Sequence, residues 1–319
     1  MQAGSPLLAS LVIGAVVTTG QLRPVRDLTA DLAANDPLVR ARAACGLKEH
    51  GDRAVEAIDS LVRTLGDATP VEATVCRERW QRDSEQQTTP GELAAAALVG
   101  IGTPAVQPLL AVLEQASWIA RRNTVWALGA LDDPRAVAPV TAALRDPEPG
   151  VRAQAAWALG AMDASAATSG LIAALKDTDG RVRRQAAWAL GAIRDSSAVE
   201  GLIGALRDAS KDVRKQAAWG LGAIGDARAS QALVAALKDG EPEVRRQAAW
   251  ALGAIRDSSA VEGLIGALRD DSKDVRQQAA WALGAIGDSR AGQGLVAALK
   301  DGEPEVRRQA AWALGVIGR

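Results

Sequence analysis

Apolar residues recur along this chain with the spacing of one helix face. The clearest stripe stands at i, i+3, i+4 and i+7 and consists of Val199, Leu202, Ile203 and Leu206. A second stretch with helical periodicity begins at Val213, and the turn between the two stretches is bracketed by Asp208 and Asp212, which we interpret as stop and N-cap signals. The pattern therefore predicts two antiparallel helices joined by a short turn.

This helix pair repeats along the chain with a period of 31 residues. The marker is a tryptophan in each second helix, at Trp126, Trp157, Trp188, Trp219, Trp250, Trp281 and Trp312. A pair this short cannot bury its apolar face alone, so neighbouring pairs must stack into one continuous core. Residues 194–255 and 256–317 are almost the same block, differing at a few sites such as Gly220 and Ala282. The register extends back to Val25 and predicts an all-α solenoid of about nine helix pairs.

The first hundred residues are less regular than the rest. An apolar run from Pro6 to Val17 is too short to span a bilayer, and small residues before Gln21 suit cleavage of a signal peptide over 1–20. An apolar first cap helix is the alternative, because the run is preceded by no Lys or Arg. We expect divergent capping repeats over 21–102, interrupted by a polar insertion at 67–90 that is interpreted as a loop, and a regular array over 103–319.

The two cysteines of the chain are Cys45 and Cys76. By register Cys45 occupies the tryptophan position of its repeat, and Cys76 lies in the insertion. A secreted or periplasmic chain meets an oxidising compartment, where such a pair forms a disulfide. The bridge would fasten the insertion onto the first repeat. Two unrelated free thiols are the other interpretation.

Composition and charge restrict the function classes further. The chain has no Phe and no Tyr, and it contains 31 glycines, which suits closely packed short helices better than strands. With 37 basic and 38 acidic residues the net charge is −1. This balance provides no global field that would attract nucleic acid, so nucleic acid is not an expected partner.

The repeat has the pattern VRxxAAWALGAIGD, preceded by xAVxxLIxALRD, as in residues 259–288. It resembles the HEAT-like repeats first grouped with the phycobilisome lyases, and the chain with its insertion and cysteine resembles exported bacterial members. The resemblance covers nearly all of the chain after the signal-like start. It implies a right-handed α-solenoid whose second helices line the concave face, where ligands usually lie.

Three columns of side chains are expected on that concave face. The helical wheel of one second helix buries Val182, Ala186, Ala189, Leu190 and Ile193 and directs Trp188 nearly the opposite way. We call the seven repeat tryptophans the tryptophan ladder. The glutamine column beside it is Gln154, Gln185, Gln216, Gln247, Gln278 and Gln309, and the basic column is Arg122, Arg184, Lys215, Arg246 and Arg308. These basic side chains predict a locally basic groove.

The three columns predict a surface for an extended peptide or polymer. Indoles offer rigid contact area, amides pair with a ligand backbone, and cations add further contacts. A polyproline II strand advances ~9.3 Å per three residues, close to the ~8–10 Å between stacked helices, so proline-rich or otherwise extended peptides are the favoured ligands and sugar polymers the alternative. In the simpler interpretation each tryptophan only covers the small residues of the neighbouring second helix.

No catalytic constellation is predicted. One Arg per repeat follows the core valine, with an Asp six residues before each of them, and we interpret this column as a tie between repeats; its members are Arg152, Arg183, Arg214, Arg245, Arg276 and Arg307. No Cys, His and Asp set has metal-ligand spacing, so neither a metal nor another cofactor is expected.

Three functions remain open at this point. The first is a non-enzymatic scaffold that binds an extended ligand on the concave face. The second is a structural protein that stacks end to end into filaments, because the final helix, which ends at Arg319, has no polar outer face. The third, which the family resemblance alone implies, is a bilin-lyase type enzyme.

Overall fold

The structure is a computed structural model that describes residues 22–76, 87–114 and 117–318. It consists of nine stacked helix pairs, as the repeat register predicts. The first helices of the pairs are α1 Val25–Asp31, α3 Ile58–Thr64, α5 Val106–Val112, α7 Val137–Ala142, α9 Thr168–Ala174, α11 Val199–Ala205, α13 Ser230–Ala236, α15 Val261–Ala267 and α17 Gly292–Ala298. The second helices are α2 Pro37–His50, α4 Pro90–Ile101, α6 Trp118–Leu131, α8 Pro149–Ala161, α10 Gly180–Ile193, α12 Lys211–Ile224, α14 Pro242–Ile255, α16 Lys273–Ile286 and α18 Pro304–Ile317.

Seven of the first helices, α5 to α17, follow a 3-10 turn, and an aspartate side chain caps that turn before α7, α11, α13, α15 and α17. The carboxylate of Asp195 accepts a hydrogen bond from the backbone N–H of Ser197 at 2.9 Å, which tightens residues Ser196–Ala198 into a 3-10 turn before α11. Side chains of this type compete with regular helix by bonding to nearby backbone groups. Equivalent 3-10 turns are Thr103–Ala105, Pro134–Ala136, Ser165–Ala167, Ala227–Ala229, Ser258–Ala260 and Ser289–Ala291.

The turn between the two helices differs from the sequence prediction in one detail. The N-cap residue of α12 is Ser210, so the assignment of Asp212 as the N-cap was wrong; Asp212 lies in the first turn of α12. Asp208 does shape the turn, since its carboxylate accepts from the backbone N–H of Ser210 at 2.8 Å. Acidic side chains in a first turn favour the helix dipole, which explains why Asp212 suits its position.

The core is built from leucines and alanines of both helices. Leu159, Leu190 and Leu221 are fully buried, and so are the alanines one turn before them. Consecutive second helices contact each other in every repeat, least between α4 and α6, whereas consecutive first helices contact each other much less. The resemblance to HEAT-like repeats implies that the second helices line the concave face, and we use that term for the side of these helices that carries the tryptophan ladder.

The insertion has more structure than the predicted loop. A short antiparallel ladder joins β1 Val71–Glu72 to β2 Gln87–Thr88, with Val71 opposite Thr88. The loop prediction for 67–90 was therefore wrong at the two ends of the insertion. Residues 77–86, like the predicted signal peptide at 1–20, lie outside the described residues. In the part that is described, every helix is too short or too polar to cross a bilayer.

Candidate functional site

The tryptophan ladder lies on one face of the second helices, from α6 to α18. Its first six members, Trp126 to Trp281, are partly buried, and Trp312 is 45% exposed. The predicted buried stripe of α10 is confirmed, because its five residues are all buried, and Ala187 is buried with them. The ladder side chains are therefore neither core residues nor fully solvated ones.

A glycine of the preceding repeat faces each later member of the ladder. A Cβ built on Gly160 would lie 2.8 Å from Cζ3 of Trp188, and one built on Gly222 would lie 2.7 Å from Cζ3 of Trp250. We call these glycines the glycine notches; they are Gly129, Gly160, Gly191, Gly222, Gly253 and Gly284. This contact bears out the part of the simpler interpretation that places each indole over small residues of its neighbour.

The contact also fixes which edge of the indole remains open. The atoms at the notch belong to the six-membered ring, as Cε3 and Cζ3 of Trp219 do against Gly191. In an indole the ring nitrogen lies on the far side from Cζ3, so Nε1 points away from the notch. Within the described array of residues 117–318, no ladder Nε1–H donates a hydrogen bond to a protein acceptor. One N–H donor per repeat is thus left for water or a ligand.

The glutamine column runs beside these donors. Its side chains, from Gln154 to Gln309, are partly exposed. Their amide groups make no hydrogen bond to other described residues. Each glutamine stands three residues before the tryptophan of its helix, as Gln185 does before Trp188. Its amide donor and acceptor therefore lie on the same helix face as the open indole N–H.

The basic column is largely neutralised by neighbouring carboxylates. Lys215 lies 3.3 Å from Glu243 of the next repeat and 3.7 Å from Asp212, and Arg308 lies 3.2 Å from Glu305. The acids belong to a column in the first turn of the second helices, which comprises Asp212, Glu243, Asp274 and Glu305. Among the described residues, Arg184 and Arg246 form no ion pair. The expectation of a basic groove is corrected to one of alternating charge.

A second set of charges ties the turns of adjacent repeats together. Arg183 donates to both carboxylate oxygens of Asp208, at 2.6 and 3.0 Å, and Nη1 donates to the carbonyl oxygen of Asp177 at 2.8 Å. The same arrangement recurs 31 residues later with Arg214 and Asp239. The hydrogen bond from Arg152 lowers the pKa of Asp177 below its usual value, against the opposing effect of burial. These pairs are structural, as the sequence predicts.

The regular columns change at the second repeat. α4 has Ala96 where the ladder has tryptophan, and it has Glu92 where the basic column has Arg or Lys. Glu92 pairs with Arg122 at 2.9 Å, and the Arg122 guanidinium lies 5.9 Å from the ring centre of Trp118, which is 43% exposed. The sequence reasoning missed Glu92 and Trp118. The reversed charge at Glu92, read in the repeat register, is the signal that identifies this break.

The first repeat ends the concave face in another way. Cys45 occupies the ladder position of α2 and forms the predicted disulfide with Cys76, with 5.7 Å between the Cα atoms. Strand β1 and the 3-10 turn Ala73–Val75 lie against α2. A segment of the insertion therefore lies on the concave side of the first repeat, where tryptophans of later repeats are open.

The structure contains no recognisable metal centre in the part that it describes. Within 22–76, 87–114 and 117–318, no three His, Cys, Asp or Glu side chains are grouped so that they hold an ion. The strongly shifted carboxylates do not cluster in a cleft either. The pKa of Asp133 falls to about 2 because Arg135, two residues away, donates to it at the surface.

Comparison with known proteins identifies the repeat. Residues 106–179, 168–242 and 230–315 match the HEAT repeats family. No curated protein sequence matches the chain. An engineered protein with a crystal structure aligns with a TM-score of 0.53 at 23% identity, covering 92% of this chain and 89% of that one. YibA of Escherichia coli aligns with a TM-score of 0.61 at 20% identity, covering 86% of this chain and 96% of YibA.

Proposed function

Given that this chain belongs to the HEAT repeat family, we propose that it is a non-enzymatic scaffold that binds an extended, largely uncharged polypeptide along its concave face. The solenoid fold is consistent with a protein-interaction role, since stacked repeats create long concave surfaces for partners. The finer proposal is that the tryptophan ladder and the glutamine column form the contact surface. It is supported by contacts within the array rather than by any bound partner.

One observation carries the proposal. The indole N–H groups from α6 to α18 and the glutamine amides from α8 to α18 belong to one face of the second helices, and none of them is paired with a described protein atom. If the tryptophans served packing alone, the glycine notches would account for their six-membered rings but not for a row of open amides beside them. A regular row of donors suits a ligand that presents acceptors at regular intervals.

The charge pattern narrows the ligand class. Since Lys215 and Arg308 are paired with acids, a polyanion would gain little from the basic column and would meet Glu243 and Glu305 at the same rim. Exposed ion pairs of this kind contribute at most about 1 kcal/mol, and salt weakens them further. We therefore expect affinity to depend weakly on salt, unlike binding of nucleic acid, which falls steeply as salt rises.

Polyproline II geometry fits the donors best. This conformation makes no internal hydrogen bonds, so its carbonyl oxygens are free to accept from Nε1–H and from the glutamine amides. Its advance of ~9.3 Å per three residues matches the ~8–10 Å between packed helices, so every third residue would meet the next tryptophan. Proline rings are flat, apolar and already ordered, so a proline-rich peptide loses less conformational entropy when it binds.

Export from the cytoplasm is a further part of the proposal. Its support is the Cys45–Cys76 disulfide, because disulfides persist in oxidising compartments and are rare in the cytosol. We propose a secreted or periplasmic protein. The test is the redox state of the two cysteines in protein isolated from its natural source, by thiol labelling before and after reduction. Full labelling before reduction would contradict export.

The test of the binding surface is a titration with proline-rich peptides observed through the indole N–H signals. The chain has nine tryptophans, so the ¹H–¹⁵N spectrum contains a small, assignable set of indole peaks. Saturable shifts confined to adjacent ladder members support the proposal. Equal perturbation by a polyglutamate of the same length, or no shift with any extended peptide, contradicts it.

End-to-end assembly is a second candidate, favoured by the face of the last described repeat. Leu299 is 38% exposed, whereas its equivalent Leu268 is 7% exposed because the next repeat covers it. Val296, Trp312 and Val316 are exposed on the same pair of helices. The first repeat offers a poor match, because it has Ala34 where interior repeats have the Asp that pairs with the preceding Arg. Light scattering over a range of concentrations tests it; a constant monomer mass contradicts assembly.

A further inference from the structure

The close packing of second helices is interrupted between α4 and α6. These two helices contact each other less than any other consecutive second helices of the described array. The position that forms the glycine notch in later repeats is Val99 in α4. A notch glycine lets the next helix approach within contact of its backbone, and a branched side chain at that position prevents this approach.

The wider spacing leaves a pocket on the concave side. Its volume is about 380 Å³, and its lining residues are Glu92, Ala95, Arg122, Asn123, Trp126 and Gln154. This volume lies within the range of about 300–1,000 Å³ that is usual for binding pockets. The pocket stands at the amino-terminal end of the tryptophan ladder, and its apolar wall is the partly exposed indole of Trp126, while Ala95 beneath it is buried.

The polar rim of the pocket is held in place from several sides. Arg122 donates to Oε1 of Glu92 at 2.9 Å, and its guanidinium lies 5.9 Å from the ring centre of Trp118. The other carboxylate oxygen of Glu92 accepts from Oγ1 of Thr88 at 3.2 Å. Asn123 donates from Nδ2 to the carbonyl oxygen of Leu65 at 2.9 Å and is buried. A rim with these contacts needs little reorganisation when a ligand enters.

The opposite charges of the rim disfavour a ligand group that carries a single charge of either sign. A cationic side chain placed near Glu92 would also lie near Arg122, and an anionic one placed near Arg122 would lie near Glu92. A hydroxyl group avoids this conflict, since it donates to a carboxylate and accepts from a guanidinium at the same time. The indole of Trp126 favours a flat apolar body beneath that hydroxyl.

We propose that this pocket between α4 and α6 binds a phenol ring, the side chain of a tyrosine in the extended polypeptide. The ring stacks on the indole of Trp126, and the hydroxyl bonds to Glu92 and Arg122. The identity of the ligand as a polypeptide rests on the proposed function, whereas the pocket itself does not. Tyrosine is absent from this chain, so its own residues cannot compete for the site in trans.

The test uses N-acetyltyrosinamide as the probe, added to the full chain. The indole peak of Trp126, assigned with a Trp126→Phe variant, is expected to shift saturably with a dissociation constant of about 1 mM, typical of a ligand of this size. N-acetylphenylalaninamide is expected to bind about three- to tenfold more weakly, the effect of one lost hydrogen bond to a charged group. Equal affinity for the two probes, or no saturable shift of the Trp126 peak, overturns the proposal.

Two variants distinguish binding in the pocket from nonspecific binding to the exposed indoles. The double change Glu92→Gln and Arg122→Gln is expected to abolish the preference for tyrosinamide, while Arg184→Gln, on a repeat without the pocket, is expected to keep it. Unchanged indole peaks of the later repeats show that each variant is folded. A preference that survives the double change overturns the role of the ion pair. A proline-rich peptide without tyrosine tests the ladder separately, because it should still shift Trp188 and Trp219.

Discussion

Trp188 lies with its six-membered ring so close to Gly160 that a Cβ added there would be 2.8 Å from Cζ3 and 2.7 Å from Cα of Ala189. The relationship joins consecutive second helices, since Gly160 belongs to α8 and Trp188 to α10. Each ladder tryptophan therefore has two edges with different tasks. The inner edge packs the solenoid together, and the outer edge carries the open N–H that we assign to ligand binding.

Substitution of a notch glycine should destabilise the array. Gly160→Ala places a methyl group within the contact radius of Trp188 and Ala189, and overpacking of this kind costs about 1–3 kcal/mol. The matched control is Gly204→Ala in α11, where nothing lies within 4 Å of the added Cβ. That change should raise stability by about 0.5–1 kcal/mol, since alanine favours helix. Urea unfolding followed by circular dichroism measures both, and equal midpoints for the two variants would contradict the notch.

The Asp–Arg pairs that tie the turns of adjacent repeats together should contribute more to the free energy of unfolding than the ion pairs at the surface. Asp208→Asn removes a carboxylate that accepts two hydrogen bonds from Arg183, and we expect a loss of about 1–3 kcal/mol. Asp226→Asn is the control, because its partner Arg228 is 52% exposed and water screens such a pair, so we expect a smaller loss. The comparison is again made by urea unfolding. A larger effect at Asp226 than at Asp208 would show that the ties between turns do not support the stack.

Acid should weaken the same ties. Hydrogen bonds from Arg152 and Arg214 hold the pKa of Asp177 and of Asp239 below the usual value, although burial acts in the opposite direction. A carboxyl whose pKa is lowered by folding adds stability above its unfolded pKa of about 3.9, and this stability is lost as the pH falls through the folded pKa. The urea midpoint should therefore stay level from neutral pH down to about pH 5 and then decline below about pH 4. A decline that is complete by pH 5 would contradict this cause.

Reduction of the disulfide should loosen the insertion without unfolding the regular array. Cys45 and Cys76 fasten β1 and its neighbours to α2, whereas the contacts from α6 onward do not involve the bridge. In a solenoid each repeat contacts only its neighbours, so the change stays local. We expect faster hydrogen exchange over residues 71–76 in a Cys45→Ser and Cys76→Ser variant. Exchange that also accelerates in α12 and α14 would contradict local fastening.

The repeat period made most of the fold predictable, and particular residues explain what was not. Trp126 to Trp312 set the register, which placed Cys45 at the tryptophan position; its pairing with Cys76 was expected because the chain has only two cysteines and a signal-like start. The 3-10 turn before α11 was missed because it depends on a local hydrogen bond from Asp195 to Ser197, which leaves the apolar pattern unchanged. The ladder between β1 and β2 was missed because strands of two residues are too short to show an alternating pattern of apolar and polar residues.

The candidate site was predictable in its residues but not in its contacts. The repeated basic column suggested a basic groove, yet Lys215 is paired with Glu243, a residue 28 positions away that only stacking brings near. The pocket at Glu92 and Arg122 depends in the same way on the spacing of α4 and α6. Contacts between repeats follow from small residues such as Gly160, whose effect is visible only when the neighbouring helix is in place.

The central claim is that the length of the open ladder determines binding, and the repetition of the sequence offers a direct measurement. Deletion of residues 194–255 removes Trp219 and Trp250 and joins Ile193 to Arg256, the same residue type that follows Ile193 in the full chain. The shortened array should remain folded, because repeat stability is close to a sum over neighbours. Affinity is then measured for two proline-rich peptides, one of about six residues and one of about twenty, which at ~3.1 Å per residue spans most of the ladder. The shortened array should bind the short peptide with unchanged affinity. It should bind the long peptide at least about tenfold more weakly than the full chain does, the effect of about 1.4 kcal/mol. Equal affinity of the full chain and the shortened array for the long peptide would contradict the claim.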